Sequence, residues 1–208
     1  MRDRIGAVLL AAAIFALTGC ETTYLSVPVP PNASEAAQQL DALNVEPQHS
    51  MRGYSRERFG GGWRNQGNDC SIRELVLRRD GEDVRTGSSC NPIRGRWGSA
   101  YDGQSLHDPD GVEIDHMVPL ANAWRSGADQ WNDPRREAFA NDLVNPELLA
   151  VSRSSNRAKG DQSPDQWRPP NTRFWCTYAR SWITVKYEWN LSVTRAERAA
   201  LREMLASC

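Results

Sequence analysis

An acid and an imidazole stand side by side at Asp115 and His116, inside Glu113-Ile114-Asp115-His116-Met117-Val118-Pro119-Leu120. A free imidazole titrates near neutral pH, about 6.5, so His116 suits a general base, while the Asp115 carboxylate is a hard ligand for Mg²⁺ or Mn²⁺. Forty residues beyond His116, Asn156 offers a second hard oxygen in a polar segment that also holds Arg153, Arg157 and Lys159. Two such ligands leave a cation with places for water and phosphate. A phosphodiester is already anionic, and its hydrolysis needs an activated water, a cation against the developing charge and help for the leaving oxygen. Residues of these types could together assist such a hydrolysis. Glu113 shares a strand face with Asp115 and either joins the metal shell or is a solvated strand acid. His49 and His107 lie in loop-like stretches with no evident partner.

These side chains need elements to hold them. Val112 to Met117 alternates as a strand, with Val112, Ile114 and Met117 facing inward, and Pro119 ends it. Neighbouring strand residues point to opposite faces, so Asp115 and His116 can serve one site only where the backbone bends. Leu120 to Arg125 reads as a helix, as does Asp133 to Asp142 with Asp133 as N-cap and Pro134 at the first helical position. Glu147 to Val151 is a second strand, and Ser152 to Lys159 a short helix stopped by Gly160. Upstream, Ser34 caps a helix to about Asn44, Cys70 to Arg79 has helical spacing, and Trp97 to Asp102 is a short strand and turn. Downstream, Thr172 to Trp189 and Thr194 to Ala206 are helices, the last with a capping box of Thr194 and Glu197. There is no internal repeat.

Strand, loop with Asn145, strand, and short helix carrying Asn156 is an order that resembles the HNH endonuclease family. Asp-His-x-x-Pro followed by Asn and then Asn-Arg-x-Lys-Gly is similar to the variant in which Asp and Asn replace the outer histidines. Trp97-Gly98-Ser99-Ala100-Tyr101-Asp102-Gly103, Ala121-Asn122-Ala123-Trp124 and Phe139-Ala140-Asn141-Asp142-Leu143 extend the resemblance to exported bacterial proteins of that family, over Cys70 to Cys208. The resemblance implies an α+β fold with a ββα-metal (His-Me finger) core and flanking helices. It makes His116 the base, Asp115 and Asn156 the ligands of one divalent metal (Mg²⁺ first, Mn²⁺ second), and Asn145 the residue that holds the His116 ring, with Asn141 the nearest alternative. Products with 5′-phosphate ends are expected on the same ground.

The chain has 208 residues, with 25 Lys+Arg against 26 Asp+Glu, which excludes a generic polybasic nucleic-acid binder, and 39% hydrophobic content argues against disorder throughout. Only Lys159 and Lys186 are lysines, a bias read as genome composition. Basic charge is nonetheless concentrated. Residues 151–187 hold seven basic side chains against two acidic ones, whereas residues 20–150 hold 13 basic and 20 acidic. That stretch reads as a footprint for phosphate backbone, with Arg153, Arg157 and Lys159 as the contacts nearest the site. Its aromatics keep helical spacing and read as core.

Residues 1–19 read as an export leader: two arginines, an apolar run from Ile5 to Leu17, then Leu17-Thr18-Gly19-Cys20, which resembles a bacterial lipobox with Cys20 as the acylated residue. Residues 20–50 read as a tether and 51–208 as the nuclease domain, anchored to a membrane and facing the periplasm or cell exterior. Cys70, Cys90, Cys176 and Cys208 in an exported chain read as disulfides, preferably Cys70 with Cys90 and Cys176 with Cys208. The expected function is metal-dependent endonucleolytic hydrolysis of DNA, or RNA as well, with low sequence specificity and no obligate protein partner. The alternatives are a catalytically inactive nucleic-acid-binding envelope lipoprotein and a purely structural one.

Overall fold

A computed structural model of the protein describes residues 26–67, 69–87 and 90–208. The leader and Cys20 lie outside the described residues. The Asn32 side chain accepts from the Glu35 amide at 3.0 Å and starts α1 (Ala33–Ala42). Its apolar face, Ala36 and Leu40, with Leu43 just beyond, is buried against two later helices, α6 (Trp175–Glu188) and α7 (Arg195–Leu205). Arg180 of α6 donates to the Pro31 and Pro30 carbonyls at 2.5 and 2.7 Å. The folded domain thus begins near residue 30, not at 51. The expected tether is corrected because its apolar helical stripe is worth more buried than solvated.

Helix α2 (Ile72–Asp80) starts with a capping box of Ser71 and Glu74. Three antiparallel strands follow in the order β1 (Glu82–Thr86), β2 (Pro92–Gly98), β3 (Ser105–Leu106). Strand β1 has Val84 as its sole large apolar residue, so no alternation marked it, and β2 lies earlier than the expected Trp97 to Asp102.

Strand β4 (Val112–His116) pairs antiparallel with β5 (Leu148–Ser152), Val112 opposite Ser152 and His116 opposite Leu148. Between them lie α3 (Leu120–Arg125) and α4 (Asp133–Ala140). The N-cap of α4 is Asn132, whose side chain accepts from the Arg135 amide at 2.9 Å, one residue before the expected Asp133. Directly after β5, Ser152 caps α5 (Arg153–Lys159), which packs across β4 and β5. The class is α+β, and β4, β5 and α5 give the strand, strand, helix succession.

Two apolar clusters flank this unit. Val112 and Ile114 of β4 and Leu148 and Ala150 of β5 join Ile72, Val76, Leu77 and Trp97 on one side. On the other, α1, α3, α4, α6 and α7 enclose Trp182, Phe139, Leu40 and Leu201. Disulfides join Cys70 to Cys90 and Cys176 to Cys208, with Cα atoms 5.3 and 5.0 Å apart. Among the described residues no helix is long and apolar enough to cross a membrane.

Candidate active site

The β4 pleat sends Glu113 and Asp115 toward α5, where the Asn156 amide donates to Glu113 Oε2 at 2.9 Å and the Lys159 ammonium meets Asp115 Oδ1 and Oδ2 at 2.9 and 2.7 Å. Positions 156 and 159 are three apart on a helix and so share the face that covers these two acids. His116 points elsewhere: its ring stacks on Trp63, with centroids 5.2 Å apart and planes 12° from parallel. Three adjoining cavities meet here. One, of about 370 Å³, is lined by Glu113, Asp115, His116 and Asn156 among others, so the strand end brings both faces of β4 to one groove. A second, of about 210 Å³, lies between His116 and Trp63. The third, of about 320 Å³, is walled by Trp63, Glu113 and Asn156.

The His116 ring is fixed by backbone. Nε2 lies 2.9 Å from the Ala140 carbonyl oxygen, which only accepts, so Nε2 carries the hydrogen and Nδ1 keeps the lone pair. Burial lowers the His116 pKa to about 4, with the Arg56 and Lys159 charges acting the same way and the Ala140 contact opposing them. The ring is therefore neutral at physiological pH and a weaker base than the free imidazole expected from sequence. Asn145 does not hold it. Its amide donates to Asp142 Oδ2 at 2.9 Å and its backbone NH to Asp142 Oδ1 at 3.0 Å, which makes it part of the turn before Pro146. Asn141 is equally occupied, accepting from the Arg64 amide at 2.9 Å and donating to the Glu137 carbonyl.

Asp115 is 4% exposed and accepts from Lys159 and, at 2.5 Å, from the Tyr101 hydroxyl. Burial raises its pKa, while Lys159 and Tyr101 pull it back. A carboxylate offers about four lone-pair positions, and these three bonds leave Oδ1 one of them. Glu113 is the more open acid, in contact with Arg153 and Arg157 at 3.4 and 3.2 Å. Among the described residues no group of three or more His, Cys, Asp or Glu side chains gathers as a metal cage. The donors at the groove are instead the oxygens of Glu113, Asp115 and Asn156, which fit a hard cation that completes its shell with water and phosphate. The Asn156 amide would turn its oxygen inward to serve.

The expected phosphate contacts are partly corrected. Lys159 is fully buried and also donates to the His116 carbonyl at 2.7 Å, so it cannot reach a ligand. Lys186 is equally buried, 2.8 Å from Glu197, where desolvation lowers its pKa against the pull of that carboxylate. Arg168 forms two 2.8 Å bonds to Glu203. With Arg180 on the Pro30 and Pro31 carbonyls, four of the seven basic side chains of residues 151–187 are already engaged by the chain's own groups. Arg153 and Arg157 remain at the groove, each facing Glu113.

Sequence reasoning missed Arg56 and Trp63, both from the Gly-rich stretch ahead of α2. Arg56 lines all three cavities, and Trp63 two of them. No spacing rule links them to His116. The Trp97 to Gly103 segment acts at one remove: Asp102 accepts from the Ser152 and Ser155 hydroxyls, at 2.5 and 2.7 Å, and seats the start of α5.

Residues 70–204 match the family described as GmrSD restriction endonucleases, C-terminal domain. Over 205 residues the chain is 48% identical to a protein of the fungus Arthroderma benhamiae described as an uncharacterized secreted protein, a match spanning 97% of each chain. No solved structure matches.

Proposed function

Because the chain belongs to the family of GmrSD restriction endonuclease C-terminal domains, we propose that it is a metal-dependent nuclease of the HNH type, hydrolysing DNA phosphodiesters with little sequence preference. The observation that carries this reading is the meeting, on one groove, of a His116 ring with a free Nδ1 lone pair and the oxygens of Glu113, Asp115 and Asn156. His116 takes a proton from the attacking water at Nδ1. Trp63 and the Ala140 carbonyl keep the ring from rotating, so little orientational freedom is lost on the way to the transition state. Glu113, Asp115 and Asn156 would hold a divalent cation, Mg²⁺ or Mn²⁺, which when bound supplies charge against the developing phosphorane. Lys159 neutralises Asp115 and locks α5 to β4, which keeps Asn156 over the groove.

Export belongs to the same proposal. Residues 1–19 direct it, the relative described as secreted supports it, and acylation at Cys20 would attach the chain to a membrane face.

The test incubates disulfide-bonded protein with supercoiled plasmid in Mg²⁺, Mn²⁺ or EDTA, with single- and double-stranded RNA in parallel. Nicking that requires metal, and that His116→Ala loses while keeping DNA affinity, is the expected result. No cleavage from folded wild type in either metal would leave a binding-only protein, and equal rates for His116→Ala would remove His116 as base.

A further inference from the structure

Four arginines line the cavities around His116: Arg56, Arg73, Arg153 and Arg157. Three are already compensated. Arg73 faces Glu74 at 3.4 Å, while Arg153 and Arg157 share Glu113. Among the described residues Arg56 has no carboxylate within ion-pair reach, and its guanidinium makes no hydrogen bond. It also lines every one of the three cavities, so it lies where they join.

Its position is built. Arg56 opens a 3₁₀ turn (Arg56–Phe59) whose Phe59 is buried, 6.3 Å from Phe139 and 6.4 Å from Trp124 by ring centroids. The Arg136 guanidinium on α4 donates to the Arg58 carbonyl at 3.2 Å. Gly60 closes the turn at φ +96°, and a Cβ there would sit 2.7 Å from Glu137 Cγ, so the turn presses directly on α4. The same helix ends at Ala140, whose carbonyl holds His116. Helix α4 therefore holds both the His116 ring and the backbone turn from which Arg56 projects. An exposed guanidinium without a carboxylate partner, lining the same cavities as the His116 ring, is open to an anionic ligand, and its planar fork matches two phosphate oxygens.

Resting on the nuclease reading above, we infer that Arg56 binds the scissile phosphate of the nucleic-acid substrate, a role that lies outside the family-matched residues 70–204. The basic stretch of residues 151–187 supplies flanking contacts at most.

Two readouts test this on the wild-type chain and on Arg56→Ala, Arg56→Lys and Arg52→Ala, the last removing an exposed arginine that lines none of the three cavities. The first is duplex binding in EDTA across a salt series. Losing one phosphate contact should make the slope of log K against log salt shallower by about 0.9, and Arg52→Ala should change it less. The second is the cleavage rate with metal. Arg56→Ala should lower kcat/KM roughly 10- to 100-fold, the range for one charge-assisted contact, and Arg56→Lys should recover only part because an ammonium lacks the fork. Wild type that cleaves beside an Arg56→Ala variant with unchanged slope and rate overturns this inference alone. A changed slope with an unchanged rate puts Arg56 on a flanking phosphate and overturns it too. Wild type that does not cleave any nucleic acid takes down the nuclease reading and this assignment together.

Discussion

Lys159→Met separates the two roles that chemistry allows Lys159. The ammonium is fully buried, 2.9 and 2.7 Å from the Asp115 oxygens and 2.7 Å from the His116 carbonyl. Methionine approximates the aliphatic stem and leaves Asp115 charged in the interior with only the Tyr101 hydroxyl to face. Removing one partner of a buried ion pair costs about 3–5 kcal/mol. For a domain of this size about 2–4 °C of melting temperature goes with each kcal/mol, so the midpoint should fall by roughly 6–20 °C. The pH dependence has a definite sign. Without Lys159 the folded-state pKa of Asp115 climbs further, so the native chain binds more protons than the unfolded one above the free carboxyl value of about 3.9, and the deficit grows with pH until the folded value is passed. Urea titrations followed by tryptophan fluorescence at about pH 5 and pH 7.5 should show the smaller loss at the lower pH. In an Asp115→Asn background the same substitution should cost only about 1 kcal/mol, the worth of an ordinary hydrogen bond. If Lys159→Met matched wild type in stability while its DNA binding lost about 0.9 of salt slope, the ammonium would be reaching phosphate and the buried-pair reasoning would be wrong.

Three other perturbations have stated outcomes. Asn156→Ala should weaken Mn²⁺ binding roughly 10- to 100-fold by calorimetric titration, and unchanged affinity would remove Asn156 as a ligand. Glu147 is fully buried, with Oε2 accepting from the Val118 amide at 3.0 Å and Oε1 without a partner, and burial raises its pKa well above the usual value. The folded state thus retains a proton that the unfolded chain loses above about pH 4.3, so stability falls as pH rises. Glu147→Gln mimics the protonated acid and should gain on wild type by about 1.4 kcal/mol for each pH unit crossed below the folded pKa; a pH-independent difference between the two chains would contradict this. Replacing Cys176 and Cys208 by serine opens a loop of 32 residues and should cost about 4 kcal/mol in thermal or urea unfolding, whereas a loss under about 1 kcal/mol would mean that the bridge adds little constraint.

What was legible in the sequence was whatever local rules govern. The β4 alternation, the capping box of α7 and the Pro119 break each depend on neighbours within a few residues, and these elements appear close to their expected bounds. Charge was harder to read. The density of basic residues over 151–187 is a property of the chain, but its availability depends on partners as distant as Glu113, Glu203 and Pro30, which no local pattern reveals. The two lysines make the same point. Set against 23 arginines they suggested compositional drift, yet both occupy fully buried positions where an ammonium with three donors finds three acceptors: two Asp115 oxygens and the His116 carbonyl for Lys159, and Ser126, Ser192 and Glu197 for Lys186. Ala140 was invisible as a site residue because only its carbonyl acts, and a carbonyl is common to every residue.

The docking of α1 on α6 and α7 bears on how this domain can be inherited. The family match starts at residue 70, but Ala36, Leu40, Leu43 and Phe59 complete the cluster around Trp182, and Arg56 and Trp63 complete the groove. A gene fusion or recombination event that carried only residues 70–204 into another protein would transplant the Asp115, His116 and Asn156 signature with one hydrophobic face bare and one wall of the groove missing. The heritable module is therefore wider than its recognisable signature, and any host of the shorter piece must evolve a substitute for the first forty or so residues of the fold before the transplanted chemistry has a stable home.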